Sequence, residues 1–427
     1  MTFDAFTGRY AQRTAGMTTS EIRALFAVAS RPEVVSLAGG MPYTTALPLD
    51  AVGKLMSDLL ATHGAQALQY GSGQGDPVLR EHICEVMALE GVIGSPDDVT
   101  VTVGSQQALD LVTRIFIDPG DVILAEAPSY VGALGTFAAY QADVVHVPMD
   151  EHGLIPTALR EAIAAVVASG RRAKFLYTIP NFHNPAGTSL SDARRDEVLQ
   201  ICVEAGLLVL EDNPYGLLGF EGPPTPAIRA RGGEDHVIYL GSFSKTFAPG
   251  LRVGWVLAPH AVREKLVLAS EASVLCPPAL NQMVVTEYLT SQDWKGQIEV
   301  FKELYQERRD AMLGALTAMM PAGTTWTRPT GGFYVWATLP EGLDAKVMQP
   351  RAITARVAYV PGIGFYSDGQ GQRELRLSYC FPEPSRIEEG VRRLAGVVEA
   401  ELDLLDTFGP TLGATVTGSH TPGPNTA

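Results

Sequence analysis

From about residue 99 to 257, short apolar runs alternate with segments of helical apolar spacing, and this alternation constrains the fold more than any other feature. Strands that recur singly between helical segments predict a mostly parallel sheet with helices on both faces, an α/β architecture. Leu207-Leu208-Val209-Leu210-Glu211-Asp212 is one such run. Apolar until its last two residues, it reads as a buried parallel strand that delivers Asp212 at its carboxyl end. Ligands of open α/β sheets bind at such ends. A β-branched alternation around Val101 breaks at Gly104, after which Ala108, Leu111 and Val112 share a helical face. The first turn of that helix would present the N–H groups of Ser105 and Gln106 to an anion, or the unit is an ordinary strand-turn-helix.

The residues with chemistry cluster near these strand ends. Ser242-Phe-Ser-Lys-Thr-Phe-Ala-Pro-Gly-Leu-Arg252 follows the run Val237-Ile238-Tyr239-Leu240 and places Lys245 among hydroxyls. An aldehyde cofactor carrying a phosphate fits this segment: Lys245 condenses with the aldehyde as a Schiff base, while Ser242, Ser244 and Arg252 serve the phosphate oxygens. A strand end followed by a solvated lysine has the same appearance. Asp212 beneath a pyridine nitrogen would keep it protonated, making the ring an electron sink, or it is a cap. Tyr215 and Asn184 are within reach of the ring's phenolic oxygen, although Asn184 before proline is also a common turn former. Tyr130 is either stacked on the ring or a core aromatic. In Leu375-Arg376-Leu377-Ser378-Tyr379 the alternation sets Arg376 and Ser378 opposite the apolar face. Facing a cleft, Arg376 would grip a carboxylate with two parallel hydrogen bonds; facing solvent, it is an ordinary arginine.

Composition bounds the remaining classes. The 427 residues, 46% of them apolar, suffice for two domains, and the net charge of −15 without a basic stripe argues against nucleic acid and anionic membranes. Cys84, Cys202, Cys276 and Cys380 are far apart without a CxxC pair, which predicts free buried thiols in a reducing compartment; no metal is expected. With no signal-like leader and no long apolar stretch, a cytoplasmic location is expected. Apolar spacing over residues 297–320 predicts a long amphipathic helix that joins two domains. Short strands at 332–336 and 374–379 and a final helix at 385–405 follow. Residues 407–427 read as disordered.

Ten segments, in order and spacing, resemble the fold type I aminotransferases that use pyridoxal 5'-phosphate: SLAGGMP at 36–42, QYGSGQGDPVLR at 69–80, GSQQALDL at 104–111, PGDVILAEAPSY at 119–130, NFHNPAG at 181–187, EDNPYG at 211–216, GSFSKTFAPGLRVGW at 241–255, PTGGFYVW at 329–336, VPG at 360–362 and ELRLSY at 374–379. The branch they resemble most contains the 2-aminoadipate and kynurenine aminotransferases. The resemblance implies a large domain with a mostly parallel, mixed, seven-stranded sheet and a smaller α+β domain. It divides the chain into an amino-terminal segment (1–45), a cofactor domain (46–296), an interdomain helix with the small domain (297–405) and a tail (406–427).

The same resemblance implies that Lys245, Asp212 and Tyr215 are catalytic, with Asn184 on the phenolic oxygen and Tyr130 on the ring face. Ser105, Gln106, Ser242, Ser244 and Arg252 would form the phosphate cup. Tyr70 would reach the phosphate of the neighbouring subunit, implying a homodimer with shared sites. Arg376 would hold the substrate α-carboxylate, near Asn184 and Gly40. Arg23, on an amino-terminal helix capped by Ser20, would meet the distal carboxylate of acidic substrates, or it is a solvated residue of the first turn. The implied reaction moves an amino group from an L-amino acid (2-aminoadipate, aromatic or branched-chain) to a 2-oxo acid, 2-oxoglutarate being expected. A decarboxylase or lyase would use the same anchors. A ligand-sensing regulator is disfavoured, because fewer than forty residues precede SLAGG. The chain departs from the family pattern with NPAG in place of NPTG, His183 where glutamine is usual and Ala24 where glutamate commonly follows the arginine.

Overall fold

Nearly every strand end that carries chemistry in the sequence lies at one edge of a single mixed sheet. The computed structural model of the chain describes residues 6, 8–17 and 31–409. After β1 (Val35–Ser36) come the strands of that sheet: β2 (Val99–Thr102), β3 (Val122–Ala127), β4 (Asp143–Asp150), β5 (Gly153–Leu154), β6 (Ala173–Thr178), β7 (Leu208–Asp212), β8 (Val237–Ser242) and β9 (Gly254–Leu257). Their order is β2-β9-β8-β7-β6-β3-β4-β5. The inner neighbours β4, β3, β6, β7 and β8 are parallel, while β9 is antiparallel to β8 and β2, and β5 to β4. The expected seven strands are therefore eight. The extra one, β5, has two residues, too few for an apolar period, and follows a turn that Gly153 permits at φ +87°.

Helices cover both faces, so successive residues of each strand enter different cores. Ile123, Phe175, Tyr177, Leu210 and Ile238 pack on one side, whereas Val122, Leu124, Leu176, Val209 and Val237 pack on the other. This is why the strands read as continuous apolar runs. The helix Ser105–Phe116 begins directly after β2, with Gly104 at its amino terminus, and buries Ala108, Leu111 and Val112 as its spacing predicts.

A smaller sheet is built from β10 (Thr325–Trp326), β11 (Tyr334–Thr338), β13 (Val360–Pro361) and β14 (Glu374–Ser378), with β12 (Val357–Ala358) lying in the chain just before β13. β10-β11-β14-β13 are antiparallel, and β1 pairs in parallel with β12. The long helix spans Trp294–Met319, capped by Asp293, whose carboxylate accepts the Gly296 N–H at 3.0 Å; the last described helix spans Pro384–Phe408. The chain after β1 runs across the small sheet, where the Leu37 carbonyl accepts the Ser378 N–H at 2.7 Å. Residues 38–41 are thus carried over the carboxyl ends of the large sheet's strands. All four cysteines are free, but Cys84 and Cys276 are only half-buried. The expectation of burial therefore holds for Cys202 and Cys380 alone. Among the described residues no helix is long and apolar enough to cross a membrane.

Candidate active site

A cleft of about 210 Å³ opens where the carboxyl ends of β7 and β8 meet β11 and β14. Gly40, Ser105, Tyr130, Asn184, Asp212, Tyr215, Ser242, Ser244, Lys245 and Arg376 line it, and every one of them is a site residue expected from the sequence. Ile179, Pro214 and Tyr334 line it as well. These three were not singled out. Tyr334 was legible only as part of the PTGGFYVW segment, since an aromatic on an alternating strand otherwise reads as core.

Asp212 ends β7, and its carboxylate is buried. Oδ2 accepts the Tyr177 hydroxyl at 2.9 Å, whereas Oδ1 is buried with no hydrogen-bond partner among the described residues. Loss of water pushes its pKa from 3.8 up to about 7, against the Tyr177 bond, which favours the charged form. A carboxylate oxygen left bare in a cleft costs free energy unless a donor meets it. Lys245 follows β8 in the turn at residues 243–246, and its ammonium donates to the Gly40 carbonyl at 2.9 Å. Burial, then the cations Arg376 and Arg252, lower its pKa from 10.5 to about 8 even though the nearby Cys380 thiol opposes the shift. The amine is therefore partly unprotonated near neutrality, as a nucleophile requires.

Arg376 is 1% exposed, so β14 turns it into the protein. Nη1 donates to Asn184 Oδ1 and Nη2 to the Ala38 carbonyl, both at 2.8 Å, while Nε is buried without a partner among the described residues. The guanidinium lies over the rings of Tyr334 and Phe365, at 4.2 and 5.2 Å from their centroids. Held this way on both sides, it presents a fixed fork to an anion. Asn184 gives its amide oxygen to Arg376, which leaves its NH2 group to meet an acceptor in the cleft. Tyr215 is buried, with its ring edge-on to Phe333 at 5.4 Å.

At the other end of the cleft, Ser242 Oγ bonds Ser244 Oγ at 2.8 Å and accepts the Ser244 N–H at 3.0 Å. Arg252 lies behind them, with Nη1 3.5 Å from Ser244 Oγ and Nη2 donating to the Val103 carbonyl at 3.3 Å. Gly104 has φ +72°, and a Cβ on it would stand 2.3 Å from Arg252 Nη2. A Cβ on Gly254 would stand 2.8 Å from the Ser105 nitrogen. The cup is thus built where backbone and guanidinium approach more closely than any side chain allows, beside the N–H groups that begin a helix.

Gln106 does not line the cleft. Its amide donates instead to Thr136 Oγ1 at 2.8 Å and to the Gly132 carbonyl at 3.2 Å, because the long side chain reaches the helix Val131–Ala139. Only its backbone N–H remains for a phosphate. Tyr130 precedes that helix and lies over its first turn, where a Cβ on Gly132 would meet the ring at 2.5 Å. Burial and the Asp212 charge push its pKa up to about 12. Tyr70 is 77% exposed and stands outside the cleft of its own chain. Arg23 lies outside the described residues.

A buried bare carboxylate oxygen, a lysine with a lowered pKa and a hydroxyl–guanidinium cup at a helix start fit a phosphorylated pyridine aldehyde. The chain belongs to the aminotransferase class I and II family, which its residues 32–394 match. It is an aminotransferase, and pyridoxal 5'-phosphate is its cofactor. Among its relatives, the aromatic-amino-acid aminotransferase 1 of Thermococcus litoralis is 41% identical over 92% of this chain and 94% of its own. The 2-aminoadipate transaminase of Thermus thermophilus is 39% identical over 90% of this chain and 95% of its own. The structure of the Pyrococcus horikoshii kynurenine aminotransferase, a complex with PMP, superposes with TM-score 0.89 at 36% identity over 93% of this chain and 98% of that one. That of the Thermus thermophilus α-aminoadipate aminotransferase, complexed with N-(5'-phosphopyridoxyl)-L-leucine, gives 0.87 at 37% identity over 94% and 100%.

Proposed function

We propose that the enzyme takes the amino group of an aromatic, branched-chain or 2-aminoadipate donor and delivers it to a 2-oxo acid, with 2-oxoglutarate as the favoured acceptor. The two half-reactions alternate, the first product leaving before the acceptor binds. The carrying observation is Arg376: a buried guanidinium, fixed by Asn184 and Ala38 and flanked by Tyr334 and Phe365, is suited to the α-carboxylate that all donors and acceptors share. Relatives named for aromatic and 2-aminoadipate donors support this donor range, as does the leucine adduct of a structural neighbour.

When bound, the cofactor supplies an aldehyde that exchanges amines and a protonated ring that accepts charge. Lys245 is its covalent anchor and, once displaced, the base that takes the proton from the donor's α-carbon, a task matched to its lowered pKa. Asp212, through the unpartnered Oδ1, would supply the counter-charge to the ring nitrogen. Asn184 and Tyr215 would bind the phenolic oxygen, Tyr130 would cover the ring, and Ser105, Ser242, Ser244, Arg252 and the Gln106 N–H would hold the phosphate. Among the described lining residues the cations are Lys245 and Arg376. Both are committed, so a second carboxylate on an acidic donor needs a further cation, and Arg23 is our candidate.

A stopped-flow panel of amino donors, read by cofactor absorbance, tests this reading. Native enzyme should convert with all three donor groups, and Lys245→Ala with none. Arg23→Ala should lose at least about tenfold with 2-aminoadipate and glutamate, the worth of one buried charge-assisted pair, but not with leucine or phenylalanine. Turnover in Lys245→Ala would refute the mechanism. Equal losses for all donors in Arg23→Ala would refute its specificity role.

A further inference from the structure

The Asp212 carboxylate has one oxygen engaged and one bare, and the engaged one is held by a residue outside the cleft. Tyr177 lies on β6, next to β7, paired with Leu210, so its side chain shares a sheet face with Leu210 and, two residues on, Asp212. From that diagonal position its hydroxyl donates to Oδ2 at 2.9 Å. The ring is fully buried and stands edge-on to Phe137, 5.4 Å between centroids at 81°, so it has no room to swing away. Burial and the neighbouring Asp212 charge raise its own ionisation well above the ordinary tyrosine value, so the hydroxyl remains a donor at every working pH.

We propose that Tyr177 is a positioning residue that acts through Asp212: by clamping Oδ2 it aims Oδ1 into the cleft, and it thereby sets how firmly pyridoxal phosphate and its amine form are retained. The proposal rests on Asp212 being the partner of the ring nitrogen. A hydrogen bond to the charged form of a carboxylate also favours that form, which opposes the cost of burial. Without the hydroxyl, Asp212 is free to rotate and to take up a proton. Either change removes the counter-charge from the ring. Tyr177 touches neither substrate nor cofactor in this scheme, so its effect should appear in retention and spectrum more than in donor binding.

The test uses full-length holoenzyme, converted to the amine form with excess donor and then diluted. Release of pyridoxamine phosphate and the pH dependence of the cofactor absorbance are recorded. Tyr177→Phe, which removes only the hydroxyl, should release the cofactor at least about tenfold faster and shift the absorbance titration, with the donor KM within about twofold of native. Asp212→Asn should also release it faster. Adding Tyr177→Phe to Asp212→Asn should then change release by less than about twofold, since the charge through which the hydroxyl acts is gone. Phe137→Leu, which alters packing and keeps the hydroxyl, should retain cofactor as native does. Native retention in Tyr177→Phe beside fast loss in Asp212→Asn overturns the role of Tyr177. A full further loss in the double variant overturns it too, because Tyr177 would then act by packing. Native retention in Asp212→Asn instead overturns the reading of Asp212.

Discussion

Burial raises the Asp212 pKa to about 7 and lowers that of Lys245 to about 8, so the two groups approach each other across neutrality from opposite ends of the scale. For Asp212 this has a cost in the absence of cofactor. Its folded-state pKa lies above the ordinary 3.8. Between about pH 4 and 7 the folded chain therefore keeps a proton that the unfolded chain has released, and stability falls as pH rises through that window. Cofactor-depleted Asp212→Asn should consequently melt at a higher temperature than cofactor-depleted native protein at pH 8, with the difference closing near pH 4. Calorimetry at the two pH values checks it, and a lower melting temperature for the variant at pH 8 would show that Oδ1 is satisfied after all. Glu90, also raised to about 7 by burial, is common to both proteins and cancels. Lys245 and Asp212 were legible because both end or follow apolar strands. Tyr177 was not, because it sits inside such a run, and only the pairing of β6 with β7 brings its hydroxyl to Asp212.

At the level of elements, the phosphate end of the cleft depends on how β2, β9 and the helix Ser105–Phe116 meet. Gly104 forms the corner, at φ +72° and ψ 168°, a backbone region kept essentially for glycine that costs a side chain about 1–3 kcal/mol. Gly104→Ala should lower stability by about that amount and also speed cofactor release, because its Cβ would displace the Arg252 guanidinium. Melting and release measured together separate the effects: a lower melting temperature with native release would mean that Arg252 is not part of the cup. The helix start was predictable from Gly104 and the apolar spacing behind it. The diversion of the Gln106 amide to Thr136 was not, since it depends on where a second helix packs.

On the scale of the whole molecule, Tyr70 stands exposed and outside the lining of its own cleft, although the QYGSGQGD segment that contains it belongs to the family pattern. We propose a homodimer in which it reaches the partner's phosphate. Co-expressing Tyr70→Ala with Lys245→Ala tests this. Hybrid dimers would contain one site with native Lys245 and native Tyr70, so they should retain cofactor and turn over donor better than either parent variant. No gain from mixing, with dimers confirmed by sedimentation, would place Tyr70 outside the partner's site.

Strand periodicity and turn residues were enough to specify an α/β sheet with a site at its carboxyl ends, and the family resemblance of its motifs named ten of the residues that line the cleft. Each of these is a local property: an apolar run ends, a glycine breaks it, and a polar group follows. The tertiary structure decided whether Arg376 faces solvent or the cleft, which oxygen of Asp212 is free, and that Gly40 accepts from Lys245. Those outcomes arise from contacts between segments far apart in the chain, such as Arg376 with Ala38 or Lys245 with Gly40. Burial created by such contacts removes water from both charges, so the ionisation of the site is a property of the packed molecule that no local pattern encodes.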